Sequence, residues 1–308
     1  MLPAVEQWFA RRTWHRPQWT VPELVVAKAD RRVSVVLPAL DEEATVGGVV
    51  TAIVPLVDAG LVDELVVVDS GSSDGTAKVA AAAGARVVRL GDVLVGLPPR
   101  RGKGEALWRS LAATSGEVVV FIDSDLVDFD GTFVPALLGP VLTVPGVHLV
   151  KGCYRRPLRL ETPDGGGRVT ELLARPLLTA LRPELAGVVQ PLGGEYAVTR
   201  SFAESVPFAA GYGVEIGLLL DAHSRYGMDG LAQVNLGVRK HRNRSLAQLG
   251  TMSRQITATA LHRCGIADSG AALTQFVQLD GEWLPDPADD LLPDRPPLRD
   301  IRTRPTTA

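Results

Sequence analysis

Two carboxylates one residue apart, Asp123 and Asp125, come directly after the apolar run Glu117-Val118-Val119-Val120-Phe121-Ile122. A run so rich in β-branched residues is expected to be a buried strand. Such a strand delivers the next residues to the C-terminal edge of its sheet, where open α/β folds bind ligands. Acids in this pattern can approach one hard divalent cation, directly or with one of them acting through water or a ribose hydroxyl, and leave coordination positions for phosphate oxygens. The chemistry they suggest is a metal-diphosphate site. A solvated acidic turn fits the tripeptide equally well, so neighbouring segments must decide.

Three more polar turns end candidate strands or open candidate helices. The segment Pro38-Ala39-Leu40-Asp41-Glu42-Glu43 lacks the Gly-x-Gly-x-x-Gly turn of a dinucleotide fold, which disfavours a dehydrogenase; its acids also complement a helix dipole, the simpler role for Glu43. Asp69-Ser70-Gly71-Ser72-Ser73-Asp74 offers a carboxylate, a glycine for close backbone approach and small hydroxyls, which suits a nucleoside. It is also compatible with an ordinary βα loop capped by Ser73 or Asp74. Gly102-Lys103-Gly104 lacks the spacing of an NTPase loop, but Lys103 at a helix start is placed to meet a phosphate or base.

The second half of the chain carries further candidates. Gly165-Gly166-Gly167 leading into Arg168-Val169-Thr170 combines N–H groups at a helix start with a guanidinium and a hydroxyl, a phosphate site in physical terms or else a flexible linker before a helix. Arg239, Lys240, Arg242 and Arg244 form the strongest basic cluster. A solvated face or an RNA contact would account for it, but few aromatics are interleaved for stacking, and anionic substrates explain it more economically, with Arg239 facing the site. His241 within that run reads as a surface residue on these grounds alone. Glu215, near a helix start, suits hydrogen bonds from sugar hydroxyls or the helix dipole.

Strands are expected at 33–40, 64–70, 85–90, 117–123 and 148–154, with helices at 42–58, 74–83 and 103–114 between them. That alternation predicts an α/β fold with a mostly parallel sheet and helices on both faces. In such a sheet the polar turns share one edge, which makes a nucleotide-diphosphate pocket. Beyond residue 156 a helix at 168–181 kinked by Pro176, extended segments at 194–200 and 231–241, and helices at 214–225 and 246–264 are expected to pack on the first part. From about Leu284 the Pro-, Asp- and Arg-rich chain is expected to be a flexible tail.

A length of 308 residues suits one large domain, and a formal net charge of −3 argues against a nucleic acid or membrane partner. Cys153 and Cys264 lack metal-ligand spacing and fit a reducing cytosol. The N-terminus, with Trp8, Trp14 and Trp19, has no signal-peptide h-region, and its indoles are expected to pack on their own domain. No stretch approaches the roughly 20 apolar residues of a membrane span. A homodimer is expected, through the apolar helices of the second half or the Trp-rich N-terminus.

The combination Val36-Leu37-Pro38-Ala39-Leu40-Asp41-Glu42, Asp69-Ser70-Gly71-Ser72, Gly102-Lys103-Gly104-Glu105-Ala106 and Asp123-Ser124-Asp125 resembles the GT-A nucleotide-sugar glycosyltransferases. Gly165 to Glu171, Gln190 to Tyr196, Gly211 to Ile216 and Val238 to Arg244 carry a narrower likeness to the retaining members that transfer glucose from a nucleotide to the 2-hydroxyl of 3-phosphoglycerate. The likeness runs from about Trp14 to Gln275; the segment between Pro157 and Gly165 is shorter here than in that family. It implies a Rossmann-like GT-A fold, with an N-terminal extension (1–31), a nucleotide-sugar-binding region (32–156), an acceptor-binding and metal-completing region of the same domain (157–283) and the tail (284–308).

The same resemblance implies roles. Pro38, Ala39, Leu40, Glu42, Ser70, Lys103, Asp123, Ser124, Tyr212 and Glu215 would hold the nucleotide sugar, and Gly167, Arg168, Thr170 and Asn243 the acceptor. Asp125 and His241 would bind Mg²⁺, with Mn²⁺ as substitute, and Lys103, Glu215 and Arg239 would serve catalysis. The donor would be UDP-glucose or GDP-glucose. GDP-mannose with mannosyl transfer, and a non-catalytic nucleotide-sugar binder, are the alternatives.

Overall fold

A computed structural model describes residues 2–155, 167–239, 245–288 and 291–302. Ten strands are present among them: β1 (Thr13–Trp14), β2 (Val33–Ala39), β3 (Glu64–Asp69), β4 (Arg86–Arg89), β5 (Val118–Phe121), β6 (Leu149–Arg155), β7 (Tyr196–Thr199), β8 (Leu231–Val238), β9 (Leu273–Leu279) and β10 (Glu282–Ala288). The first eight make one sheet in the order β1-β8-β6-β7-β5-β2-β3-β4. All neighbours in it are parallel except β7, which runs antiparallel to β5 on one side and β6 on the other. The predicted strands recur with edges shifted by a few residues at most.

The two-residue period of a strand divides the apolar side chains between two cores. Val35, Leu37, Val118 and Val120 face one, whereas Val36, Val119 and Phe121 face the other, and all are buried. Each such side chain contributes roughly 1.5–3 kcal/mol by burial. Of the helices α1 (Pro3–Arg12), α2 (Val21–Lys28), α3 (Val46–Asp58), α4 (Thr76–Ala82), α5 (Lys103–Ala113), α6 (Phe133–Thr143), α7 (Arg175–Leu181), α8 (Arg200–Ala203), α9 (Val214–Tyr226), α10 (Leu246–Arg263) and α11 (Leu298–Arg302), α2, α3 and α6 cover the first face and α5 and α9 the second.

Two local features depart from the sequence expectation, and a third agrees with it. First, α3 starts at Val46, not Glu42, because acids before it are engaged next door: Asp41 Oδ1 accepts from the Ser73 amide at 2.7 Å and Glu43 Oε2 from the Gly75 amide at 3.0 Å. Glu43 is thus a cap for the turn ahead of α4, not for its own helix. Second, Pro176 does not kink its helix freely; a π turn at Thr170–Ala174 absorbs it, with the Arg175 amide donating to Thr170 O. Third, as expected, the indole of Trp8 packs inward. Trp8 is 2 % exposed and its Nε1 donates to Leu231 O at 3.2 Å, while β1 extends the sheet beside β8.

The expectation of a flexible tail from Leu284 is corrected. Residues up to Ala288 pair as β10 with β9, and the segment 291–302 docks on the domain with Leu298 and Arg295 buried. Composition misleads here because the anchor is two ion pairs, Arg295 with the buried Glu105 and Asp294 with Arg263, and one buried leucine, not a run of apolar residues.

Candidate active site

The carboxyl ends of β2, β3 and β5 open into one cleft of ≈ 910 Å³. Pro38 and Ala39 line it from the end of β2, Leu40 and Glu42 from the loop that follows, and Ser70 from the loop after β3. Asp123, Ser124 and Asp125 contribute from the end of β5, Lys103 from the start of α5, and Tyr212 and Glu215 from the start of α9. Gly167, Arg168 and Thr170 line the same cleft, as does Arg239 at the end of β8. His241 and Asn243, like Lys240, Arg242, Arg244, Gly165 and Gly166, lie outside the described residues.

A line of alternating charges crosses the floor. Lys103 Nζ is 2.5 Å from Asp123 Oδ1 and 2.7 Å from Glu215 Oε1, the latter an ionic contact outside hydrogen-bond alignment. Arg239 continues the line, with Nη2 2.5 Å from Asp123 Oδ2 and 3.3 Å from Asp125 Oδ1, and Nε 2.7 Å from the fully buried Glu195. Burial alone would lower the Lys103 pKa, but Asp123 and Glu215 hold it well above its usual value. The same contest, won by Glu195, Tyr154 and Asp123, keeps Arg239 charged.

Close packing fixes these groups. A Cβ on Gly194 would stand 2.3 Å from Asp123 Oδ2, so only glycine lets the backbone press on that carboxylate. Ser124 Oγ donates to Pro38 O at 2.7 Å and fastens the end of β5 to that of β2. On α5, a Cβ at Gly104 would come within 1.7 Å of Ala209 O, so the helix start and the loop before α9 touch backbone to backbone.

The donor set fits a hard divalent cation. Asp125 offers carboxylate oxygens to the cleft, and its pKa is raised, by burial first and by the Asp123 charge second. Such a surplus of negative charge is what a cation relieves. Among the described residues no three His, Cys, Asp or Glu side chains converge to hold a metal by themselves. Elsewhere in the lining the backbone turns at Gly167 (φ +78°) into a helical segment, and Thr170 Oγ1 is buried with no hydrogen-bond partner among the described residues. An anion there would supply one.

Several lining groups escape sequence reasoning. Arg100 and Arg101 flank the Gly102-Lys103-Gly104 turn, so the basic run Arg-Arg-Gly-Lys is a usable signal. Gln255, from the middle of α10, accepts from the Tyr212 amide at 2.9 Å; a lone glutamine in a helix gives no warning of this. Glu195 lies within the Gln190 to Tyr196 motif, but its pairing with Arg239 depends on the two chain segments meeting in space.

Comparison with known proteins gives a consistent picture. Residues 34–152 match the family model described as Glycosyl transferase family 2. The chain is 61% identical over 301 residues to the glucosyl-3-phosphoglycerate synthase of Mycolicibacterium smegmatis, covering 97% of this chain and 99% of that one. It is also similar to crystal structures of the Mycobacterium tuberculosis glucosyl-3-phosphoglycerate synthase at 60% identity. One, in complex with Mg²⁺ and UDP, has a TM-score of 0.88 over 94% of this chain and 99% of that chain. Another, with Mn²⁺, UDP-glucose and phosphoglyceric acid, has a TM-score of 0.86 over 94% and 98%.

Beneath the cleft, Lys151 of β6 is 2 % exposed, donates to Gly193 O at 2.5 Å and lies 4.6 Å from the centre of the Tyr196 ring. Burial lowers its pKa to about 8, against partial support from Glu215. Between that value and the ordinary one near 10.5 the unfolded chain binds a proton that the folded one does not, so this group makes stability rise with pH there. In urea denaturation, Lys151→Met is expected to lose that component, at most about 1.4 kcal/mol per pH unit above pH ~8; an unchanged increment would assign the titration to another group.

Proposed function

This chain belongs to the glucosyl-3-phosphoglycerate synthase family, and on that premise we infer that its cleft transfers glucose from UDP-glucose to 3-phosphoglycerate. It is a metal-dependent glycosyltransferase. The observation that carries the reading is a single cleft lined both by Asp123 to Asp125 with Lys103 and by Gly167 to Thr170, in which Lys103 and Arg239 pair with Asp123.

In the proposed assignment, Pro38, Ala39, Leu40, Glu42 and Ser70 receive the uridine, with Asp123, Ser124 and Tyr212 beside them. Asp125 and His241 hold Mg²⁺ or Mn²⁺, which supplies Lewis-acid stabilisation of the diphosphate. As the bond from the anomeric carbon to the donor's β-phosphate oxygen breaks, negative charge grows on the departing diphosphate. Lys103 and Arg239 stay charged there at the pH of the reaction. Glu215, steadied by Lys103, accepts hydrogen bonds from the sugar hydroxyls. Arg168, Thr170, the Gly167 turn and Asn243 take the acceptor's anionic groups, aiming its 2-hydroxyl at the anomeric carbon. Front-face attack, with that hydroxyl's proton passing to a donor phosphate oxygen, accounts for retention.

The regional division of labour belongs to the same proposal: residues 32–156 serve the donor, and residues 157–283 the acceptor and the metal. We also place the protein in the cytosol as a homodimer. Two free cysteines fit a reducing compartment, and no helix among the described residues is long and apolar enough to cross a membrane. With Trp8 buried in its own chain, the better support for a dimer contact is the β9–β10 hairpin, which exposes Phe276, Leu279 and Trp283. Light scattering should give twice the chain mass, and Phe276→Ser with Trp283→Ser the single mass.

Supplied with 3-phosphoglycerate and Mg²⁺, the protein should consume UDP-glucose in preference to GDP-glucose and GDP-mannose, with the product read by mass. Asp125→Ala should keep the thermal transition within a few degrees and lose at least about a hundredfold in turnover; near-normal turnover in Mg²⁺ would remove Asp125 from the metal site. Arg168→Ala should raise the KM for 3-phosphoglycerate about tenfold or more while donor KM stays within about twofold, and equal effects on both would refute the acceptor assignment.

A further inference from the structure

We propose that the segment 291–296 is a working part of the donor half of the active site, with Arg295 as a positioning residue that ties together the two loops from which Lys103 and Glu215 enter the cleft. The inference rests on the function proposed above only in taking that cleft as the donor site.

Arg295 is 5 % exposed and makes both of its attachments at once. Its backbone exchanges two hydrogen bonds with Phe208, at 2.8 and 2.9 Å, and so holds the loop that leads into α9, Tyr212 and Glu215. The guanidinium forks onto Glu105 in the first turn of α5, at 2.6 and 2.8 Å, and donates to Pro98 O at 2.7 Å. Glu105 is fully buried, and hydrogen bonds and charge from Arg295 and Arg109 keep its carboxyl pKa below the ordinary value despite that burial. A two-point guanidinium–carboxylate contact fixes orientation as well as distance.

Neighbouring contacts reinforce the tie. Trp108 Nε1 donates to Pro296 O at 2.9 Å, and the Arg295 guanidinium lies 5.2 Å from the centre of that indole. Arg100, a lining residue, donates to Pro293 O at 2.7 Å, and Leu292 itself lines the cleft. The Lys103–Glu215 contact at 2.7 Å crosses the same seam that Arg295 closes from behind. Movement of either loop therefore alters the spacing of two groups that must meet one sugar diphosphate, and displacements near 1 Å can cost about a hundredfold in rate.

Three full-length variants and the wild type decide the matter. Arg295→Met should lower kcat or raise the UDP-glucose KM about tenfold or more, with the KM for 3-phosphoglycerate within about twofold; Arg295→Lys should recover part of the loss. Leu298→Ala, which removes an apolar anchor outside the cleft, should lower the thermal transition while leaving both kinetic constants within about twofold. If Arg295→Met lowers stability but spares kcat and donor KM, the segment is only structural and the proposal fails. Should that variant not fold, amide exchange in the wild type decides: UDP with Mn²⁺ must slow exchange at Phe208 and Arg295, because coupling between two sites is reciprocal. Unchanged exchange overturns the proposal. Slowed exchange in a protein that fails to turn over UDP-glucose would instead uphold it and refute the proposed reaction.

Discussion

Asp123 is shared between two cations, Lys103 on one carboxylate oxygen and Arg239 on the other, at 2.5 Å each. Three chain segments distant in sequence thereby meet on one side chain: the end of β5, the start of α5 and the end of β8. None of these charges is stable at that depth alone, since burial penalises an unpaired ion by several kcal/mol. The sheet edge, the glycines at 102, 104 and 194 and the small residue Ser124 can all be understood as what lets those segments come close enough to share the carboxylate. The same pairing keeps both cations charged where a diphosphate would develop negative charge.

Strand periodicity and strand-end chemistry are legible in the sequence because both are local. A run such as Val118 to Ile122 can be satisfied only by burial on two faces, and a polar turn directly after it has one edge to occupy. The groups that escape detection are those whose significance depends on a distant partner. Glu105 and Arg295 are ordinary residues until the fold brings them together, and Arg239, although its charge marks it out, gives no sign that Glu195 is its partner. Lys151 is invisible for a related reason: an isolated lysine in an apolar stretch signals a snorkelling side chain, and only the packing of β7 beside it shows that the ammonium has nowhere to go. The C-terminal segment is misjudged by the same logic, since its attachment depends on paired charges, Arg295 with Glu105 and Asp294 with Arg263, and on one buried leucine rather than on composition.

Buried charge also separates two kinds of support. Lys103 and Arg239 each face at least one carboxylate at contact distance, which favours rigid placement. Lys151 instead gives its hydrogen bond to a backbone carbonyl, and burial, only partly offset by Glu215, lowers its pKa to about 8. The first arrangement suits a site that meets anions; the second belongs to the layer that shapes the floor beneath it.

Strand β7 runs against both of its neighbours. An antiparallel strand enters the sheet at the edge where its parallel neighbours leave it, so the residues just before Tyr196, including Gly194 and Glu195, arrive at the cleft without a crossover helix to carry them. The inverted strand acts as a hinge-line in the architecture: β4, β3, β2 and β5 on one side, β6, β8 and β1 on the other, are two parallel blocks joined through a single seam. Because each block brings its own loops to the shared edge, the loops of one can change in length or charge without re-registering the strands of the other.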